Sequence, residues 1–282
     1  VSAFTNALSQ ERVSKSMARD LYLYRATARL QAGQPQEAMA DCQELAQNYD
    51  MDADSWFLTG KVALAMDGYD EASLDFEQAY GEDSSYDRAI QIYETYLEKD
   101  MEADGTRYLE AVLSTEAKGA DDLCNRGRIY YYMKDYANAK KELTDASNQG
   151  STEALLLLGM VYGAQEDYAN ARAMYQQFIS QKLEDTSKNQ MKTAALGYNG
   201  LAVCDIAEGN YDSALENINN GITVASDDEM QSLLFNEIVA YEKKLDFVTA
   251  QEKVVSYVGM YPEDEEASKE LDFLKSRTGS TE

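Results

Sequence analysis

Three carboxylates at alternate positions, Asp50, Asp52 and Asp54, have the opening spacing of a calcium-binding loop, in which acidic oxygens two residues apart converge on one cation. The rest of the pattern is missing. Such a loop needs Gly at its sixth place for the turn and Glu at its twelfth as a bidentate ligand, and here those places hold Ser55 and Lys61. The stretch therefore reads as an acidic turn that supplies an N-cap to a helix beginning around Trp56. Ser226-Asp227-Asp228-Glu229 reads in the same way, as a capping box rather than a site.

Other reactive chemistry is scarce. The 282 residues include no histidine, which removes the commonest general base, nucleophile activator and metal ligand together. Glycine-rich phosphate loops, paired-cysteine metal motifs and basic stripes interleaved with aromatics are also missing. No catalytic residue, metal or cofactor is expected. Cys42, Cys124 and Cys204 lie about 80 residues apart, which is neither a ligand spacing nor a disulfide framework, so buried free thiols are expected.

Lys and Arg number 25 against 51 Asp and Glu, a net charge of −26. Such a surface repels nucleic-acid phosphates and anionic lipid, and favours basic or apolar partners at close range. Its simplest effect is to keep an elongated molecule soluble and monomeric. The longest apolar run, residues 154–164, is too short to span a bilayer. The chain starts with Val and shows no leader, so an export signal was either removed or never present.

The elements that position these residues are set by a phrase written six times, a variation on Gly-Asp-Tyr-x-x-Ala ending at Ala38, Ala72, Ala139, Ala171, Ala214 and Ala250. Successive alanines stand 34, 67, 32, 43 and 36 residues apart, a period near 34 with one doubled gap and one insertion. A period of that size marks a repeat protein. With only 2 Pro and 16 Gly, the chain should be all helical. Twelve residues before each alanine stand Ala26, Gly60, Gly127, Gly159, Ala202 and Ile238, small in five cases, so two helices of a hairpin can cross closely there. The aromatics Tyr69, Tyr136, Tyr168, Tyr211 and Phe247 should plug the turns.

Trp56-x-x-Thr59-Gly60 followed by Tyr69-x-x-Ala72-x-x-x-Phe76-x-x-Ala79 closely resembles a tetratricopeptide repeat, as do the segments around Gly127 and Gly159. The resemblance implies an all-α, right-handed superhelical solenoid of antiparallel helix pairs forming a single domain over residues 1–282. Repeats are expected at 19–52, 53–86, 120–151, 152–192, 193–230 and 231–262. A degenerate one should fill 87–119, with Gly105, Tyr108 and Ala111 on its second helix and Ile92 where a small residue is expected. Residues 1–10, with Phe4 and Ala7 in the roles of Phe76 and Ala79, read as the second helix of a truncated repeat. Residues 263–282 read as a capping helix and tail. The insertion around residues 181–192 should lengthen the flanking helices or form a polar loop.

In such repeats the first helix of each pair lines a concave face that binds segments of other proteins. Mapping those positions gives Leu23, Thr27, Phe57, Lys61, Cys124, Arg128, Tyr131, Leu156, Met160, Asn199, Val203, Phe235 and Val239. The surface is mixed and largely apolar, with two cations. It departs from the clamp that holds chaperone tails, because no lysine stands at Leu23, Phe57, Cys124 or Leu156. Of the run Tyr130-Tyr131-Tyr132, Tyr130 should be core, while the other two either line the groove or pack between repeats. The implied function is a non-enzymatic scaffold that binds a protein or peptide segment, with Phe57, Tyr131, Met160 and Phe235 as anchors and Lys61 and Arg128 orienting the ligand. The alternative is a receptor for a small ligand or signalling peptide whose output domain lies outside this chain. No nucleic acid and no membrane insertion by this segment are expected. The stretch from Tyr86 to Tyr93 and the cap from Pro262 to Leu274 resemble multi-repeat proteins of gut Gram-positive bacteria, often lipid-anchored outside the cell, which favours an extracytoplasmic setting over a cytoplasmic one.

Overall fold

The computed structural model describes residues 1–10, 12–184 and 188–279, with residues 188–192 and 228 described by backbone alone. The described residues form helices and no strand, as expected. Their contacts divide into two compact units, Val1–Glu116 and Ala117–Glu282. The first holds α1 (Ser2–Leu8), α2 (Lys15–Gln31), α3 (Pro35–Asn48), α4 (Ala53–Ala65), α5 (Tyr69–Glu82), α6 (Tyr86–Leu97) and α7 (Glu102–Leu113). The second holds α8 (Ala120–Tyr132), α9 (Tyr136–Asn148), α10 (Glu153–Ala164), α11 (Tyr168–Glu184), α12 (Lys188–Ala207), α13 (Tyr211–Val224), α14 (Asp227–Lys243), α15 (Phe247–Met260) and α16 (Glu265–Thr278). Within each unit, consecutive helices pack as hairpins, from α2 with α3 to α14 with α15, and α16 covers α15.

The hairpin turns share one geometry. Gly33, Asp67, Asp100, Lys134, Glu166, Gly209 and Leu245 all adopt positive φ, between 57° and 79°. In each case the next residue's N–H donates to the carbonyl five residues earlier, as Gln34 does to Arg29 and Asp246 to Tyr241, at 2.8–3.0 Å. A left-handed residue followed by this backward bond is the Schellman ending of a helix, which satisfies its last carbonyls and reverses the chain. The positive-φ residue stands five places before Ala38, Ala72, Ala139, Ala171, Ala214 and Ala250, and also before Gly105.

Gly105 thereby marks the hairpin that lacks the alanine phrase and corrects its register. The helix crossing in this hairpin falls on Tyr93 and Gly105, one residue later than Ile92. In five of the other six hairpins the first helix carries the small residue, Ile238 being the exception. A Cβ on Gly60 would stand 2.6 Å from the Phe76 ring, and Gly127 and Gly159 make the same room for Leu143 and Tyr175. Here the second helix yields instead, because a Cβ on Gly105 would lie 2.8 Å from the Tyr93 Cα. Ile92 is fully buried beside the crossing.

Both cores follow from these crossings. In the first unit, Ala26, Ala38, Cys42, Leu58 and Val62 join α2, α3 and α4. Aromatic rings continue the packing: Phe57 lies 5.8 Å from Phe76, Phe76 5.2 Å from Tyr96, and Tyr96 6.5 Å from Tyr108. α1 rests beside α2, with Phe4 stacked 6.2 Å from Tyr24 and no residue of α1 fully buried. In the second unit, α11 and α12 run to 17 and 20 residues on either side of the insertion. Ser226 and Glu229 form the expected capping box on α14. The three cysteines are free and buried; burial pushes the Cys42 and Cys204 thiols up to about 11.

Candidate partner-binding face

In the first unit, α2, α4 and α6 lie side by side, and residues one helical turn apart on each converge on a cavity of about 400 Å³. α2 contributes Leu23, Tyr24, Thr27, Leu30 and Gln31; α4 contributes Asp54, Phe57, Leu58 and Lys61; α6 contributes Arg88 and Gln91. Four residues expected from the sequence, Leu23, Thr27, Phe57 and Lys61, therefore share one site. Phe57 forms its floor, with the Arg88 guanidinium 4.8 Å and the Lys61 ammonium 5.7 Å from the ring centre. A smaller cavity of about 190 Å³ continues along the same helices past Lys61 to Leu64, Ala65, Thr95, Glu98 and Lys99.

Two of the three acids, Asp52 and Asp54, are spent on structure. Asp52 caps α4 by accepting from the Ser55 N–H at 3.0 Å and pairs with Arg19. Burial alone would raise its pKa, but the Ser55 hydrogen bonds and Arg19 bring it below the usual carboxylate range. Asp54 pairs with the buried Arg88, which also donates to Gln91 at 3.0 Å and stands 3.5 Å from Asp83. The Asp50 carbonyl accepts from Arg19 at 3.3 Å.

In the second unit, α8 and α10 form a second cavity, of about 410 Å³. It brings together Cys124, Arg128 and Leu156 with Asp121, Asn125, Ser151, Glu153 and Leu157. Arg128 is held by Asn125 at 2.9 Å. Glu153 accepts from Lys182 at 2.5 Å, and that bond outweighs partial burial to lower its pKa.

The remaining expected residues are placed differently. Tyr131 is half-buried against Tyr132 and Tyr136, each 6.2 Å away, and burial with the Tyr136 phenol raises its pKa. Tyr130 packs on the same core. Met160 and Leu156 cover the cluster around Leu155 and Tyr175. Asn199 accepts from Asn236 at 2.7 Å, while Phe235 packs 5.7 Å from Tyr257. Val203 is exposed and Val239 half-buried.

Sequence reasoning missed Tyr24, Asp54, Arg88, Gln91 and Asn125. A usable signal existed for Arg88. Its partner Asp54 stands 34 residues earlier, and the same near-period separation links Arg19 to Asp52, Arg172 to Asp205 and Lys244 to Asp212. Opposite charges one period apart mark contacts between neighbouring repeats.

A family model described as tetratricopeptide repeat matches residues 20–50 and 153–181, and a second such model matches residues 123–147. No curated protein matches the chain. A tetratricopeptide repeat protein from Parabacteroides merdae is similar in structure at 13% identity, over 91% of this chain and 98% of that one, with a TM-score of 0.61. A chain of the APC/C hetero-tetramer Cut9-Hcn1 is similar at 16% identity over 90% of this chain, with a TM-score of 0.52. The present chain spans about half the length of that relative. Matched repeats, seven identical turns and these structural neighbours agree: the chain carries tetratricopeptide repeats and has their helix-pair fold.

Proposed function

We propose that the chain is a non-enzymatic scaffold that binds a protein or peptide segment on the first-helix faces of its repeats. The observation that supports it is the convergence of Leu23, Thr27, Phe57 and Lys61, from successive repeats, on one open cavity. Apolar walls with a few placed polar groups are what a bound segment requires. Phe57 and Leu156 are the best-placed anchors, since each lines one of the two cavities. Lys61 and Arg128 orient the ligand.

The extracytoplasmic, lipid-anchored setting belongs to this proposal and rests on the sequence resemblance; a full-length gene without a lipid-attachment cysteine behind a leader overturns it. The binding reading is tested by affinity purification from the source organism with the wild-type chain and with a Phe57→Ala, Leu156→Ala double variant. Loss of the partners from the folded variant is expected. Undiminished recovery overturns the assignment of the faces.

A further inference from the structure

The α2–α4–α6 face has a charge pattern that narrows its ligand. Arg88 is committed to Asp54, to Asp83 and to Gln91, and Lys99 in the adjoining cavity is paired with Asp67 at 3.7 Å. Lys61 lines both cavities, and among the described residues it has no ion pair; its ammonium lies 5.7 Å from the centre of the Phe57 ring. Glu98 lines only the smaller cavity, lies beyond ion-pair range of Lys61 and is exposed. The position equivalent to Lys61 in the second unit is Arg128, and Asn125 holds that guanidinium.

Lys61 therefore presents an uncompensated ammonium beside a half-buried apolar floor, in a chain with a net charge of −26. Long-range attraction would draw basic segments to most of this surface, yet at the cavity itself a basic side chain would meet Lys61 and the paired Arg88. A carboxylate would meet the one cation that lacks a counter-charge, in a setting where water is partly displaced and the pairing is strengthened.

We infer that this face takes an apolar peptide segment carrying one side-chain carboxylate, which pairs with the Lys61 ammonium while its apolar neighbours pack on Phe57 and Leu23. The inference rests on the reading of the face as partner-binding. From Asp54 to Ala65 the face follows α4 for about 16 Å at 1.5 Å per residue, room for about five extended residues. Specificity then comes from charge at Lys61, and affinity from the apolar floor.

The test is selection of a phage-displayed random dodecapeptide library on the full chain, followed by calorimetry of an enriched peptide and its analogue with Glu replaced by Gln or Asp by Asn. Enriched peptides are expected to share one acidic residue among apolar ones. The neutral analogue should bind the wild type about tenfold more weakly, bind Lys61→Met as well as its acidic parent does, and lose affinity again on Lys61→Arg. Phe57→Ala should weaken both peptides. Enrichment of basic or uncharged peptides, or an equal loss for the analogue on Lys61→Met, overturns the carboxylate pairing and leaves the binding face standing. Peptides that bind Phe57→Ala and Lys61→Met unchanged overturn the face itself, and a selection that enriches nothing overturns both.

Discussion

Glu237 on α14 and Lys253 on α15 meet at 2.7 Å across their hairpin, at the repeat positions where Arg25 and Asp41 meet at 2.6 Å across α2 and α3, with the charges exchanged. These positions are the residue before the first-helix crossing and the third residue after the second-helix crossing. Arg126 and Glu142 fill them at 3.5 Å between α8 and α9, whereas Leu158 and Met174 replace the ions with apolar side chains between α10 and α11.

Reversal of the charges should therefore be tolerated only as a pair. Glu237, 7% exposed, has little water to fall back on, so Glu237→Lys should cost about 2 to 4 kcal/mol by burying an ammonium beside the like charge of Lys253. Glu237→Lys with Lys253→Glu should recover most of that loss. Thermal melts of the wild type, both single variants and the double variant form the required cycle.

In the α4–α5 hairpin the same two positions hold Thr59 and Asp75, so the acid has no cation across the hairpin. Burial, with the Glu71 carboxylate nearby, pushes the Asp75 pKa up to about 6. A folded-state value above the unfolded one means that stability is fully present below the unfolded pKa of about 3.9 and is lost as pH rises through about 6. Asp75→Asn should thus stabilise the protein at pH 7 by about 1 kcal/mol, after discounting for the half-exposed site, and the gain should vanish near pH 4. Urea melts across that range check the slope. Thr59→Arg should stabilise at pH 7 as well, by restoring the arrangement of Arg25 and Asp41.

Leu245 occupies a left-handed turn position at φ 65° with its side chain 74% exposed. Leu245→Gly should raise stability by up to about 1 kcal/mol, relief of backbone strain exceeding the entropy that glycine adds to the unfolded chain. At the equivalent turn, Gly33→Val should lower it by about 1 to 2 kcal/mol. Differential scanning calorimetry gives both signs.

Gly105→Ala should be destabilising by about 2 kcal/mol, since the new methyl meets the backbone of Tyr93, which cannot rotate away. Gly163→Ala, where the added Cβ meets nothing within 4 Å, should gain up to about 1 kcal/mol from helix propensity. Equal effects in denaturant melts would refute the register of the α6–α7 hairpin.

Most of the helix-pair architecture was legible because its makers are small residues and turn aromatics at fixed spacing, and the alanine-ending phrase that carries them stands in plain view in six of seven hairpins. The α6–α7 hairpin misled by one residue, because its room is made by Gly105 on the second helix while the first presents Tyr93. Leu23, Thr27, Phe57 and Lys61 could be placed because one period returns a residue to the same face. Arg88 could not be placed from its own helix: what brings it to the cavity is Asp54, one repeat earlier. Tyr131 and Phe235 sit at equally plausible groove positions, but their rings turn to Tyr136 and Tyr257, a choice made by neighbours that spacing does not encode.

Each hairpin turn is closed by a hydrogen bond between residues only five apart. A loop that short costs little entropy to close and forms on the time scale of local chain motion. Hairpins can therefore zip one at a time as the chain emerges during synthesis, each ready to template the next before the remainder has been made.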